Sequence, residues 1–310
     1  MNGSRWKWPL IAFCGFAACW AIVAVPDLFG VGQLSWYGWW QADQPATGRP
    51  YEARFESVEP GGAPARAGIR DGDTFDLREQ SFEARAGLAF QPIAHKSLTL
   101  VVHRDGRRRS VTVVPGAVWD VGRLGLLWAV PTAIACLWFA ACALLIAVRR
   151  AQLFEGRVLA LTLAVCAIGT VPLVTANAAL TWGLLGLTVA AWALEWLFLA
   201  ILSGAFGTRS KWRRVLEGCA YAAAAINLAV LMTFVVGLAT LRFDPMPFAF
   251  LALAGSPGIQ TLSSAVMVVL VLATVAAALA TTPPVQRPRA AWLLLPLPAG
   301  LLAADVCLQL

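Results

Sequence analysis

Long apolar runs separated by short basic clusters dominate the chain, and one extended polar stretch interrupts them. Seven such runs stand out: residues 9–30, 122–148, 158–178, 182–206, 215–240, 258–281 and 290–310. Each is near the length of about 20 residues that a helix needs to cross a bilayer's hydrocarbon core. The pattern predicts a membrane α-helical bundle of about seven transmembrane helices. The polar stretch, residues 41–118, is long enough for one small α+β domain inserted after the first helix. Three parts follow: residues 1–40, the first helix with interfacial aromatics Trp36, Tyr37, Trp39 and Trp40; residues 41–118, the insert; and residues 119–310, a six-helix block.

Within the insert the periodicity changes. Residues 52–58 and 97–103 read as strands, the second through alternating Leu98, Leu100 and Val102. Arg104-Asp105-Gly106-Arg107 carries the Asp-Gly hairpin signal, and residues 109–114 return as a strand. Phe82, Ala86 and Phe90 recur at helical spacing, which predicts a helix over 81–91. Residues 245–257, with Pro245, Pro247, Gly255, Ser256 and Pro257, fit either an outer loop or a half-inserted segment.

The basic residues orient the bundle. Arg149, Arg150 and Arg157 share one short loop, Arg209, Lys211, Arg213 and Arg214 another, and Arg287 and Arg289 a third. The loop at 175–180 has no charge, and the one after Leu241 carries only Arg242 and Asp244. Cytoplasmic loops of membrane proteins carry the excess of Lys and Arg. The N-terminus, with Arg5 and Lys7, is therefore expected in the cytoplasm, the insert outside, and Leu310 outside. The first run is read as a retained helix and not as a cleaved leader, because it is long enough to span and lacks a small-x-small cleavage site before Pro26-Asp27.

Composition agrees with this picture: 59% of residues are hydrophobic, 13% are charged, and 14 are Trp. A soluble domain is nearer a quarter charged. The net charge of +7 sits in clusters flanking apolar runs, so it argues for a membrane partner and against nucleic acid. Seven Cys all lie in apolar segments and read as small packing residues; no metal site is expected.

Catalytic signals are missing. The two His, His95 and His103, are both in the insert, so no zinc-protease helix motif exists and Ser203 has no His base within the membrane. Asp27 near the end of the first run apart, Asp305 is the only Asp in a span, and no phosphate-binding loop occurs. No catalytic residue and no cofactor is assigned. Glu195 is the most unusual intramembrane residue, since a carboxylate at that depth is costly unless neutralised or paired. It reads either as a coupling or ligand-contacting site or as a protonated Glu bonded to a neighbouring helix. Asn227 and Asn177 suit bonds between helices. Pro131, Pro172, Pro296 and Pro298 are expected to kink their helices.

Two segments carry a family resemblance. Phe55-Glu56-Ser57-Val58-Glu59-Pro60-Gly61-Gly62-Ala63-Pro64-Ala65-Arg66-Ala67-Gly68-Ile69-Arg70-Asp71-Gly72-Asp73-Thr74-Phe75-Asp76 resembles the central motif of bacterial PDZ domains. The closing hairpin, Val102-His103-Arg104-Asp105-Gly106 and then Val111-Thr112-Val113-Val114-Pro115, is similar to theirs and follows in the right order. The resemblance implies a peptide-binding domain, the ligand adding as an extra strand to an exposed sheet edge. That edge would be residues 52–58, beside the helix at 81–91. The implied site is Arg49, Tyr51, Glu52, Ala53, Arg54, Phe55, Phe82, Ala86 and Phe90. The usual Gly-rich carboxylate loop is not evident at Gly48-Arg49-Pro50-Tyr51, and Pro50 removes a donor, which leaves Arg49 or Arg54 as an electrostatic substitute.

One helix, an outer PDZ-like domain and a helical block, with Arg287-Pro288-Arg289-Ala290-Ala291-Trp292 entering a late helix, resemble the sensor region of quorum-sensing histidine kinases of the ComP type. That resemblance implies a sensory protein of a bacterial inner membrane that receives a peptide or protein segment and relays it through its helices, with a homodimer compatible. The chain departs from the family in lacking a phospho-acceptor His segment and an ATP-binding lobe. It is expected to be the sensory part of a longer protein or a kinase-less relative. The alternatives are an envelope scaffold holding a membrane partner, or a transporter or enzyme with a PDZ regulator; Glu195 and Asn227 in one polar cavity would favour transport.

Overall fold

The computed structural model describes residues 4–28, 41–43, 52–56, 58, 60–89, 97–115, 123–171, 173, 175, 177–208, 210–240 and 257–295. The long helices are α1 (Ser4–Leu28), α4 (Arg123–Arg150), α5 (Phe154–Thr170), α6 (Ala178–Ser203), α7 (Lys211–Thr240) and α8 (Pro257–Thr281), and a short α9 (Arg287–Leu294) follows. Five contain stretches long and apolar enough to cross a membrane: Trp6–Pro26, Ala129–Arg150, Ala178–Ser203, Lys211–Gly237 and Leu262–Thr281. The protein is thus a helical membrane protein carrying a small antiparallel sheet.

Small side chains decide how the helices meet. On α1 Leu10, Cys14, Ala17, Ala21 and Ala24 are buried, together with Trp20, and on α4 the buried positions are Ala129, Ala133, Cys136, Ala140, Ala143 and Ala147. Trp20 apart, both series step alternately by four and three residues, the spacing of helices packed at a shallow left-handed crossing. Alanine and cysteine in that seam let the backbones approach closely, as membrane helices require. Large apolar side chains face outward instead, among them Ile134, Trp138, Ile226 and Val269. Trp6, Trp8, Trp212 and Trp292 are exposed near the first residues of α1, α7 and α9, beside Lys7, Lys211 and Arg289, where an aromatic belt would lie.

The run at 158–178 differs from expectation. Its helix, α5, is 17 residues long and rises about 25 Å. Cys136, halfway along α4, donates its thiol to the Ala167 carbonyl at 3.3 Å, so α5 ends little beyond the mid-depth of α4. Val171 is already extended, at φ −134° and ψ 115°. The physical cause is Pro172, whose ring forbids helical geometry at the residue before it; a kink was expected there, and the helix stops. Non-helical backbone at membrane depth needs internal partners. They are present: Trp20 Nε1 donates to the Val171 carbonyl at 2.9 Å, and the Thr181 hydroxyl meets both the N–H of Thr175 (3.0 Å) and its carbonyl (3.1 Å). The run at 290–310 also differs, since α9 stops at Leu294 in the described residues; 296–310 lie outside them, as do 245–256 of the undecided segment.

At the junction of α6, α7 and α8 a buried arginine closes the bundle. Arg213 Nη2 donates to the Ser203 carbonyl at 2.6 Å, while Nη1 reaches the Thr208 carbonyl and the Thr281 hydroxyl, each at 3.3 Å. Its Nε lies 3.1 Å from Glu217 one turn on, and both side chains are buried. Gly207 makes this possible: its φ is +72°, and a Cβ there would come within 2.3 Å of Thr281 Oγ1.

The insert forms a sheet of order β1-β2-β3-β4-β5, antiparallel throughout, from Gln41–Asp43, Glu52–Glu56, Thr74–Asp76, Leu98–Arg104 and Arg107–Val113. A short α2 (Ala63–Arg66) and α3 (Phe82–Ala89) pack on it. Its core is Phe55, Ala63, Ile69, Phe75, Ala84, Leu100, Val102 and Val113. Asp105 (φ 52°) and Gly106 (φ 73°) make the β4–β5 turn with both central residues left-handed, the twist that suits a tight hairpin.

Two side chains replace missing ladder bonds. β3 meets β4 at the single pair Thr74↔His103. Farther along β4, the Gln80 amide acts as a strand: Nε2 donates to the Val101 carbonyl at 2.7 Å, and Oε1 accepts from Val101 N–H at 2.9 Å. Gln80 is buried, so Gln80→Ala strands both backbone groups and should cost about 2–3 kcal/mol. Hydrogen exchange at Val101 reads that loss directly.

Asp73 is the second. Arg104 grips it with Nε at 2.6 Å and Nη2 at 2.5 Å, and Arg70 N–H adds a third bond at 2.9 Å. Burial alone would raise this carboxyl, but the Arg104 hydrogen bonds, the Arg70 N–H and the charges of Arg104 and Arg109 outweigh it and hold the pKa below the usual value. A depressed folded pKa gives stability that is complete above the ordinary Asp value near 4 and lost as pH falls through the lower folded one. Amide protection factors over residues 68–74 should therefore fall as the pH drops below about 4. Asp73→Asn should flatten that dependence and cost about 2 kcal/mol at neutral pH.

Candidate functional site

β2 alternates as a half-buried strand does: Phe55 is buried and Ala53 packs on the same core, while Glu52 and Arg54 lie on the other face. Phe55, expected to line a groove, instead anchors the sheet, its ring 4.8 Å from that of Phe75. The edge expected to be open is covered. β1 pairs with β2 through Gln41↔Glu56, Ala42↔Phe55 and Asp43↔Arg54. β2 is thereby an inner strand; Gln-Ala-Asp carries no strand preference that would announce β1.

α3 begins at a capped turn, where the Ser81 hydroxyl accepts from Ala84 N–H at 3.1 Å. Its two sides have different neighbours. Ala84 and Leu88 complete the core of the sheet. Ala86 and Phe82 pack instead with Trp182, Leu185 and Val189 of α6 and Val235 and Ala239 of α7. The Phe82 and Trp182 rings lie 6.1 Å apart. Both residues, expected beside a peptide, thus meet membrane helices. Phe82 and Ala86 share one side of α3, but periodicity does not say which neighbour covers it.

Arg85 reinforces this seam and was not anticipated. Its Nη2 donates to the Ala239 carbonyl at 3.2 Å, one residue before the end of α7. A cation there satisfies an orphan carbonyl and complements the negative end of the helix dipole. The guanidinium also sits 5.6 Å from the Phe82 ring centre, within range of a cation–π contact. A lone Arg between Ala84 and Ala86 was the available sequence signal.

The two intramembrane polar residues occupy different seams. Glu195 is buried on α6, on the side that faces Cys166 of α5. Asn227 of α7 faces α8: its Oδ1 accepts from Ser263 Oγ at 2.9 Å and from Ser264 Oγ at 3.4 Å, and its Nδ2 lies 3.6 Å from Met267 sulfur. Asn227 is a clasp between helices. The Asn177 side chain caps α6, accepting from Leu180 N–H at 3.2 Å, and among the described residues it makes no bond to another helix. Arg49, Tyr51 and Phe90 lie outside the described residues. Among the described residues, no three His, Cys, Asp or Glu side chains gather as a metal site would require.

No protein-family model, no curated protein and no solved structure matches the chain.

Proposed function

We propose that this chain is a sensory input protein of a bacterial inner membrane, whose PDZ-like domain takes up a peptide or protein segment outside the cytoplasm and passes the event to the helices. The observation carrying this reading is the double burial of α3: Ala84 and Leu88 belong to the sheet core, and Phe82, Arg85 and Ala86 belong to the α6–α7 seam. A rearrangement at the sheet cannot leave that seam unaffected, because α3 is a single rigid helix of about two turns shared by both. The two motif segments support the PDZ-like assignment, and the Arg-rich turns at 149–157, 211–214 and 287–289 support an outside insert. The separation of Glu195 and Asn227 into different seams removes the support that a shared polar cavity would have lent to transport.

The test is a binding screen on the full chain in nanodiscs, using fluorescent peptides with free and with blocked C-termini. Saturable binding to some peptides is expected, accompanied by a changed hydrogen-exchange rate over residues 237–240 at the end of α7. Absence of binding across the library would overturn the reading. Binding with no change at α7 would reduce the protein to a tether.

A further inference from the structure

We infer that β1 is an internal occupant of the peptide site, a displaceable strand that a ligand must replace before the sheet can be read. The inference rests on the peptide-reader proposal and concerns how that site is regulated. β1 lies antiparallel on the outer side of β2, opposite β3, where an added peptide strand would pair.

Three properties make it a weak tenant. It is three residues long, whereas β4 and β5 are seven each. None of its residues, Gln41, Ala42 and Asp43, is a favoured strand former. It lies at one margin of the sheet and, among the described residues, pairs with β2 only. What holds it is main-chain hydrogen bonding at high effective concentration, since residues 44–51 tether it to its own partner. A ligand with β-branched or aromatic residues at the strand positions would form the same ladder and add side-chain contacts that Gln-Ala-Asp cannot. Displacement would free the segment that joins α1 to the sheet, which gives a second route from ligand to membrane besides α3.

Locking and loosening β1 on the full chain test this. The register Gln41↔Glu56 places two cysteines opposite each other in Gln41→Cys/Glu56→Cys, and directly paired antiparallel residues lie about 4.5–5.5 Å apart, within disulfide range. Asp43→Pro removes a ladder N–H, because Asp43 pairs with Arg54, whose backbone groups face β1, whereas those of Phe55 face β3. The probe is a fluorescent peptide copying residues 38–46, read by anisotropy. The reduced double-Cys chain and Asp43→Pro should bind it, Asp43→Pro at least tenfold more tightly than the unaltered chain, and the oxidised double-Cys chain should not. Equal affinity in the oxidised and reduced forms would overturn displacement. If library peptides still bind that locked chain, the peptide-reader proposal survives alone; if no variant, Asp43→Pro included, binds either the copied strand or any library peptide, both fall.

Discussion

Replacing Arg213 with Ala should cost the bundle about 3–5 kcal/mol, because it leaves Glu217 buried without its cation. The loss is compounded at three further points. The Ser203 and Thr208 carbonyls and the Thr281 hydroxyl, drawn from the end of α6, the turn after it and the end of α8, all lose the same donor. Arg213→Lys should rescue little, since one ammonium cannot present the fork that spans Ser203, Thr208 and Glu217. Arg213→Met/Glu217→Leu should recover part of the loss, because an apolar pair in place of a buried ion pair is often tolerated. Recovery should be incomplete, as the carbonyls stay unbonded. Thermal unfolding in detergent would rank the four proteins. Equal stability of Arg213→Ala and the unaltered chain would show that the junction does not hold α6, α7 and α8 together.

What the sequence reveals here follows a physical division. Elements set by local chemistry were legible: the helices at 123–150, 211–240 and 257–281 by apolar length, and the β4–β5 hairpin by Asp105-Gly106. Elements set by a distant partner were not. β1 exists because β2 offers it an edge, and nothing in Gln41-Ala42-Asp43 announces a strand. α5 illustrates the middle case. Pro172 was visible, but whether a proline bends a helix or ends it depends on who receives the freed backbone groups. Trp20, 151 positions away, takes the Val171 carbonyl, and Thr181 takes Thr175. With those partners in place the extended chain costs little, and the helix ends.

The candidate site shows the same division on one helix. Phe82 and Ala86 form a readable stripe, whereas nothing in the sequence points from Arg85 to its partner at the end of α7. The choice between peptide and membrane helix as the cover for that stripe rests on contacts across about a hundred residues of sequence. Asp73 and Arg104 make the same point from the charged side: each sits in a recognisable motif, yet their pairing appears only when β3 and β4 are brought together.

The second large effect is expected at that seam. Ala86→Arg would place a charge where Ala86 is 6% exposed, among Trp182, Leu185 and Val235. An unpaired charge cannot stay there without a desolvation cost of several kcal/mol, so α3 should lift off α6 and α7. The sheet should survive, because α3 holds to it by the other side, through Ala84 and Leu88. Undocking also removes Arg85 from the Ala239 carbonyl, so the last turn of α7 should fray. Hydrogen exchange resolves the two regions: residues 237–240 should exchange at least tenfold faster, while Leu100 and Val102 in β4 keep their protection. Trp182→Ala should weaken the same seam by about 3 kcal/mol without adding charge, and should shift α7 in the same direction by less. Collapse of protection in β4 together with α7 would mean that sheet and bundle form one cooperative unit. In that case α3 would be a buried strut of that unit and could not serve as a joint that a ligand moves.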